Sequence, residues 1–177
     1  HPEKIRDLVD ANTRAVYLES LGNPKNDVPD FQRISDIAHG LDLPVLCDNT
    51  VTPLLLRPIE HGVDVVIYST TKFIGGHSDL IAGAVMGSAA LINEINVYRS
   101  FLGTMGSPFV CWQIMRSLET LKIRMEGQAA RALEVAKFLE SHPQVSRVLY
   151  PGVVAEGSKQ AAIQKDQISG FGSVMSF

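Results

Sequence analysis

The chain has 177 residues, with 16 Lys plus Arg and 19 Asp plus Glu, so its formal net charge at pH 7 is −3. This balance argues against a nucleic-acid-binding or anionic-membrane-binding protein, because such proteins carry an excess of basic residues. Apolar residues make up 45% of the sequence, which is typical of a folded globular chain, and no apolar run reaches the ~18 residues of a membrane-spanning helix. Two cysteines, Cys47 and Cys111, do not make a disulfide framework, so we expect a cytoplasmic protein.

Short apolar runs alternate with helical segments in the first half of the chain. The predicted helices are residues 5–9, 31–41 and 58–61, and the predicted strands are residues 15–18, 44–47, 63–68 and 82–86. Asp30 is a favourable N-cap for the second helix. This alternation is typical of βαβ units, so it predicts an α/β fold with a mostly parallel sheet that is buried on both faces.

The pattern changes in the second half of the chain. Residues 108–141 are helical throughout, which predicts either one long helix or two helices with a break between Thr120 and Gly127. Farther on, residues 145–150 and 170–177 have strand character, and residues 151–160 have loop character. We therefore place a domain boundary near Ser141.

The sequence begins with His1 and ends in an apolar run that includes Val174, Met175 and Phe177. Natural chain ends usually consist of polar residues that fray at the surface. We therefore expect this sequence to be a piece of a longer chain.

Three polar clusters follow predicted strands, at residues 19–23, 48–50 and 69–72. Functional residues of an open parallel sheet gather beyond the carboxyl ends of its strands. One right-handed crossover separates Asp48 from Lys72, and it returns the second strand end to the same edge as the first. We therefore expect the carboxylate and the amine to share one pocket.

These residue types narrow the chemistry. A carboxylate that leaves a buried strand, as Asp48 does, favours a cationic partner. Ser69 and Thr71 are two positions apart, so in an extended chain their hydroxyls point the same way and suit a phosphate. A lysine, a carboxylate and a phosphate seat match pyridoxal phosphate, since the amine forms a Schiff base and the carboxylate keeps the pyridine nitrogen protonated. Spacing alone also allows a solvated Lys72 and an Asp48 that only stabilises a turn.

Longer motifs carry a family resemblance. They are Glu-Ser-Leu-Gly-Asn-Pro at 19–24, Asp-Asn-Thr at 48–50, Ser-Thr-Thr-Lys-Phe-Ile-Gly-Gly-His-Ser-Asp at 69–79, and the segments 107–109, 116–121, 124–125 and 150–152. With these motifs the chain resembles the Cys/Met-metabolism, or trans-sulfuration, family of pyridoxal-phosphate enzymes. That family includes cystathionine γ-synthase, cystathionine lyases, methionine γ-lyase and O-acetylhomoserine sulfhydrylase.

The resemblance implies a role for each matching site residue. Lys72 is similar to the Schiff-base lysine, and Asp48 to the aspartate that pairs with the pyridine nitrogen of the cofactor. Ser69 and Thr71 match the hydroxyls on the cofactor phosphate. Asn23 matches the asparagine near the cofactor 3′-oxygen. No metal is implied.

The resemblance also implies a fold and an assembly. The expected fold is the aspartate-aminotransferase type I fold of pyridoxal-phosphate-dependent transferases. Residues 1–141 are then part of the cofactor-binding large domain with its linking helix, and residues 142–177 begin the C-terminal small domain. A cytoplasmic homotetramer without a nucleic-acid or membrane partner is expected.

The implied activity is γ-replacement or γ-elimination on an O-acylhomoserine or cystathionine-type substrate in methionine biosynthesis. Residues 19–24 and 57–62 look most like sulfhydrylases, whereas residues 76–79 look more like synthases and lyases, so a cystathionine or methionine γ-lyase is an alternative. The family's ring-stacking aromatic residue and its substrate-carboxylate arginine have no counterpart in the sequence, so a non-catalytic interaction remnant is another. A nucleotide-binding domain is disfavoured, because no Gly-x-Gly-x-x-Gly follows a strand.

Four other residues have simpler interpretations. Cys47 is predicted to be a packed core residue. No Cys/His spacing motif surrounds His77, so a metal site there is disfavoured. Arg116 and Arg124 lie eight positions apart on the predicted helix and are expected on a solvated or ion-paired face.

Overall fold

The computed structural model describes all 177 residues, in six α-helices and four β-strands. The helices are α1 (Ile5–Leu8), α2 (Phe31–His39), α3 (Ala89–Leu102), α4 (Pro108–Leu118), α5 (Leu121–Glu140) and α6 (Lys159–Gln167). The strands are β1 (Val16–Glu19), β2 (Val45–Asp48), β3 (Val65–Ser69) and β4 (Gly83–Gly87). None of the helices combines the length and the apolarity that a membrane crossing requires.

The four strands form one sheet in the order β1-β2-β3-β4. β1, β2 and β3 run parallel, and β4 pairs antiparallel with β3. Each strand lies within one or two residues of its predicted position. The predicted α/β architecture with a mostly parallel sheet is therefore confirmed.

The two faces of this sheet differ in burial. Val45, Cys47 and Val66 point to the face that packs on α2, and all three are buried. On the opposite face Tyr17 is 59% exposed and Val85 is 41% exposed. The prediction of burial on both faces is wrong for this chain, because an apolar run does not show whether both faces find a partner within it.

Helix α2 forms where the sequence predicts it. The Asp30 side chain accepts a hydrogen bond from the Arg33 backbone N–H at 3.1 Å, which caps the first turn. Phe31 and Ala38 provide the apolar face that packs in the core under the sheet, and both are 0% exposed. Burial of this face holds α2 against the sheet.

The long helical region is divided into α4 and α5. α4 ends at Leu118 and α5 begins at Leu121, so the two-helix alternative is confirmed. The chain leaves helical geometry at Thr120, which has φ −105° and ψ 0°. The break thus lies at the very start of the predicted window.

Two helices and two strands differ from the prediction. Neither α3 nor α6 was predicted, although Ser88 and Ser158 cap their first turns. α3 contains no buried residue, although Leu91, Ile95, Tyr98 and Leu102 recur along it at helical spacing. The predicted strands at 145–150 and 170–177 are wrong: only an isolated bridge between Leu149 and Ser176 forms there.

The C-terminal segment is fastened to the start of α2 by amide side chains. The Gln167 side chain accepts a hydrogen bond from Phe31 N at 2.8 Å and donates to Pro29 O at 3.0 Å. Gln160 donates to Val28 O at 2.9 Å. A second small core, made of Ala132, Ala136 and Tyr150, joins α5 to the segment that follows it.

Phe31→Ala tests the core under the sheet. Phe31 is fully buried, so we expect the free energy of unfolding to fall by about 3–5 kcal/mol through lost burial and a residual cavity. Phe101→Ala is the matched control, because Phe101 is 85% exposed and its removal is expected to change the value by less than about 0.5 kcal/mol. Urea unfolding measures both variants, and equal losses in the two would contradict this core.

Candidate active site

The chain turns back after β1, β2 and β3 at one edge of the sheet, and we call the three turns that follow Glu19, Asp48 and Ser69 the chain reversals. In the parallel register Glu19 lies opposite Asp48, and Asp48 lies opposite Ile67. The ladder continues past the strands, since Ser20 N donates to Asp48 O at 2.9 Å and Asn49 N donates to Ile67 O at 2.8 Å. These bonds hold the three reversals side by side.

A cavity of about 370 Å³ opens at this edge, and we call it the strand-end cavity. Asn23, Asp48, Ser69 and Lys72 all line it. The structure therefore brings together four of the five site residues that the sequence analysis named. Their roles toward a cofactor stay predictions.

Asp48 is the last residue of β2, and its half-buried carboxylate is held by its own turn. Oδ1 accepts a hydrogen bond from Thr50 N at 2.9 Å. Tyr17 lies on the same face of the sheet, and desolvation followed by the negative charge of Asp48 raises the pKa of its hydroxyl. The bond from Thr50 N thus orients the Asp48 carboxylate at the edge of the sheet where the strands end.

Thr50 connects this turn to the next strand end. Its Oγ1 accepts a hydrogen bond from Ser69 N at 2.8 Å. The sequence analysis placed Thr50 in a polar cluster but gave it no role of its own. The Thr50 hydroxyl therefore links the turn that follows Asp48 to Ser69, the last residue of β3.

A buried polar network supports the three reversals from behind. The Asn49 side chain donates to Tyr68 OH at 2.9 Å and to Leu56 O at 3.0 Å. The Thr52 hydroxyl donates to Asn49 Oδ1 at 2.6 Å and lies 2.8 Å from the Ser20 hydroxyl. Asn49 and Ser20 are 0% exposed, so this network is shielded from water.

The Lys72 turn, residues 69–76, is closed by backbone bonds and two glycines. Gly75 N donates to Thr70 O at 2.7 Å, and Gly76 N donates to Lys72 O at 2.7 Å. A Cβ at Gly75 would lie 2.8 Å from Thr70 O, and Gly76 has a positive φ of +76°. These two glycines therefore permit the tight turn after Lys72.

Thr71 does not line the strand-end cavity, although it shares a neighbouring cavity with Lys72. Its Oγ1 accepts a hydrogen bond from Ala82 N at 3.0 Å, and it lines a neighbouring cavity of about 950 Å³ instead of the strand-end cavity. The predicted common direction of Ser69 and Thr71 requires an extended chain, whereas the strand ends at Ser69. Lys72 and Phe73 line both cavities and so lie between them.

Two other residues clarify the surroundings. Cys47 is fully buried, and burial raises the pKa of its thiol to about 12, so its interpretation as a packed core residue is confirmed. Arg124 is not on an ion-paired face: it donates to Phe73 O and Ile74 O, immediately after Lys72. No local sequence signal predicts these contacts, because Phe73 and Ile74 lie 51 and 50 positions before Arg124 in the chain.

Asn49→Ala tests the buried network. The substitution leaves the Tyr68 hydroxyl and Leu56 O without their partner, so we expect the free energy of unfolding to fall by about 2–4 kcal/mol. Asn93→Ala on the exposed surface of α3 is the matched control, with an expected change below about 0.5 kcal/mol. Urea titration compares the two, and a loss at Asn49 no larger than that at Asn93 would contradict the importance of the network.

Comparison with known proteins gives a consistent result. The model of the family "Cys/Met metabolism PLP-dependent enzyme" matches residues 1–177. A cystathionine beta-lyase of Coxiella burnetii is 38% identical over 98% of this chain and 45% of that protein. An L-methionine gamma-lyase of Porphyromonas gingivalis is 39% identical over 100% and 45%, and a homocysteine synthase of Schizosaccharomyces pombe is 35% identical over 99% and 49%. The chain spans about half the length of these curated relatives.

Solved structures agree with this result. The crystal structure of cystathionine gamma-lyase from Lactobacillus plantarum complexed with L-serine matches with a TM-score of 0.93 and 32% identity. The match covers 99% of this chain and 46% of that one. The predicted fold class, family resemblance and family cofactor, pyridoxal phosphate, are thereby confirmed. The chain belongs to the Cys/Met-metabolism family of pyridoxal-phosphate-dependent enzymes.

Proposed function

We propose that the protein acts as a pyridoxal-phosphate-dependent enzyme of sulfur amino acid metabolism, with Lys72 as the residue that carries the cofactor. One observation carries this proposal. Lys72 and Asp48 belong to different strand ends, and both line the strand-end cavity. Membership of the family adds support, because its enzymes depend on this cofactor.

The donor set of the cavity fits pyridoxal phosphate. An amine suits the cofactor aldehyde, a carboxylate suits a protonated pyridine nitrogen, and a hydroxyl suits a phosphate, which are the groups of Lys72, Asp48 and Ser69. Asn23 adds an amide for the 3′-oxygen. Thr71 accepts from Ala82 N at 3.0 Å and donates its one hydroxyl hydrogen to Ala82 O at 3.3 Å, so it would have to give up the second bond to donate to a phosphate oxygen.

Each residue then has a distinct task in the reaction. When bound, the cofactor supplies an electron sink for negative charge at the substrate Cα. Lys72 Nζ removes the proton at Cα and returns it farther along the substrate, which is general base and then general acid catalysis. Asp48 holds a proton on the pyridine nitrogen, and its turn to Thr50 N keeps the carboxylate aimed. Ser69 keeps the cofactor in register with Lys72.

We propose γ-replacement or γ-elimination on an O-acylhomoserine or cystathionine-type substrate as the reaction. The motifs at 19–24 and 57–62, which resemble sulfhydrylases, support a replacement by sulfide, and a homocysteine synthase is among the relatives. A cystathionine or methionine lyase is the second candidate. The lyases among the relatives, at 38% and 39% identity, and the motif at 76–79 favour it.

We also propose a homotetrameric, cytoplasmic enzyme in which residues 1–141 belong to the large domain and residues 142–177 begin the small one. Phe109, Trp112 and Met115 on α4 are 65%, 53% and 69% exposed, which supports a subunit contact at this helix. A non-catalytic interaction remnant is the alternative that the following experiment separates.

Lys72→Ala tests cofactor attachment. The full chain with Lys72 is expected to show the near-visible absorption of the bound cofactor, and borohydride followed by peptide mapping is expected to fix the cofactor on Lys72. The variant is expected to lose both signals. Lys137→Ala, an exposed lysine on α5, is the matched control and is expected to keep them. A wild-type peptide map without an adduct at Lys72 would overturn the proposal and favour the remnant.

A side-by-side assay decides the reaction. The purified full chain is given O-acetylhomoserine with sulfide, cystathionine, and methionine in separate reactions. We expect the fastest turnover with O-acetylhomoserine and sulfide, since the segments 19–24 and 57–62 resemble sulfhydrylases. Faster release of a keto acid from cystathionine or methionine would instead identify the lyase candidate.

A further inference from the structure

We infer that Arg124 is a positioning residue: it clamps the Lys72 turn to the junction of α4 and α5, and so fixes where the Lys72 amine lies in the strand-end cavity. The inference rests on the proposed function of Lys72. It assigns a role to a side chain 52 positions away that touches none of the predicted cofactor ligands.

The guanidinium of Arg124 donates four hydrogen bonds. It donates to Phe73 O at 2.6 Å and to Ile74 O at 2.9 Å. It also donates to Ser117 O at 2.9 Å and to the Thr120 hydroxyl at 3.1 Å. One planar side chain therefore joins the two residues after Lys72 to the end of α4.

The acceptors explain why an arginine stands here. Ser117 O lies in the last turn of α4, where its local hydrogen bond, from Thr120 N, is long at 3.3 Å, and Arg124 adds a shorter one. A guanidinium presents several donors in a rigid plane, so it reaches separate carbonyls at once, whereas a lysine amine has one nitrogen. Three backbone oxygens in three different residues are thus held by one group.

Charge and burial agree with a clamp. Desolvation lowers the pKa of Arg124, yet none of the four ion pairs in the structure includes it. Its charge is therefore stabilised by carbonyl dipoles and a hydroxyl, and not by a carboxylate. Hydrogen bonds from a charged donor are about twice as strong as those between neutral groups. The two bonds from Arg124 to Phe73 O and Ile74 O therefore stabilise the Lys72 turn more than a neutral donor would.

The turn is shaped to receive the guanidinium. A Cβ at Gly76 would collide with Arg124 Nη1. Gly76 N in turn donates to Lys72 O at 2.7 Å, so the residue that admits Arg124 also closes the turn on Lys72. Arg131 on the same helix gives a contrast, since it is exposed and bonds only to Gly127 O one turn away.

Amide hydrogen exchange on the full chain without cofactor tests the clamp apart from activity. With Arg124→Gln we expect the Gly75 and Gly76 amides to exchange at least about tenfold faster, because loss of charged hydrogen bonds opens the turn. Amides of β2 and β3 are expected to keep their rates. Arg124→Lys is expected to restore part of the protection, and the control Arg131→Gln to change nothing.

The outcomes separate the clamp from simple loss of folding and from failure of the proposed function. If Arg124→Gln also accelerates exchange in β2 and β3, the Arg124→Lys variant decides between the two explanations. Faster exchange in Arg124→Lys that is confined to Gly75 and Gly76 supports the clamp. Exchange in Arg124→Lys that is uniformly faster, or unchanged, overturns it. Borohydride trapping at Lys72 in the cofactor-loaded chain is expected to slow in the order wild type, Arg124→Lys, Arg124→Gln. Absence of any wild-type adduct overturns the proposed function, while the exchange result still decides the clamp.

Discussion

Parallel pairing of β1, β2 and β3 is the constraint on which the rest of the structure depends. Because parallel strands must all leave the sheet at the same edge, three segments far apart in sequence reverse direction side by side. The ladder bonds from Ser20 N to Asp48 O and from Asn49 N to Ile67 O extend this alignment into the reversals themselves. The carboxylate and the amine meet because of strand direction, and neither residue has to reach far.

Two layers of polar contacts then make the edge rigid. Behind it, Asn49 and Thr52 connect the reversals through bonds that water does not reach. In front, Thr50 joins the Asp48 turn to Ser69, and Arg124 holds the far side of the Lys72 turn. Catalytic side chains work only when their positions are fixed within a fraction of an ångström, and these contacts supply that fixation.

Much of the fold was predictable, and the failures have physical causes. The strands of the sheet and α2 were found because their apolar residues face a core at regular spacing. α3 was not predicted, although Leu91, Ile95, Tyr98 and Leu102 recur at helical spacing. The strands near 145–150 and 170–177 were overpredicted, because their apolar residues pack on a small core while only Leu149 and Ser176 pair. Of the predicted site residues, Asn23, Asp48, Ser69 and Lys72 line one cavity, whereas Thr71, which follows the end of β3, lines the neighbouring one.

The sequence by itself determined the chemistry available: an amine, a carboxylate and hydroxyls at the ends of apolar runs, within motifs that match one enzyme family. Residue types and local spacing are sufficient for this, because they depend only on neighbours along the chain. Only the tertiary structure decided which groups face one cavity, that Thr50 and Asn49 brace it, and that Arg124 reaches the Lys72 turn. Those contacts join residues far apart in the chain, so they exist only once the sheet and helices have packed.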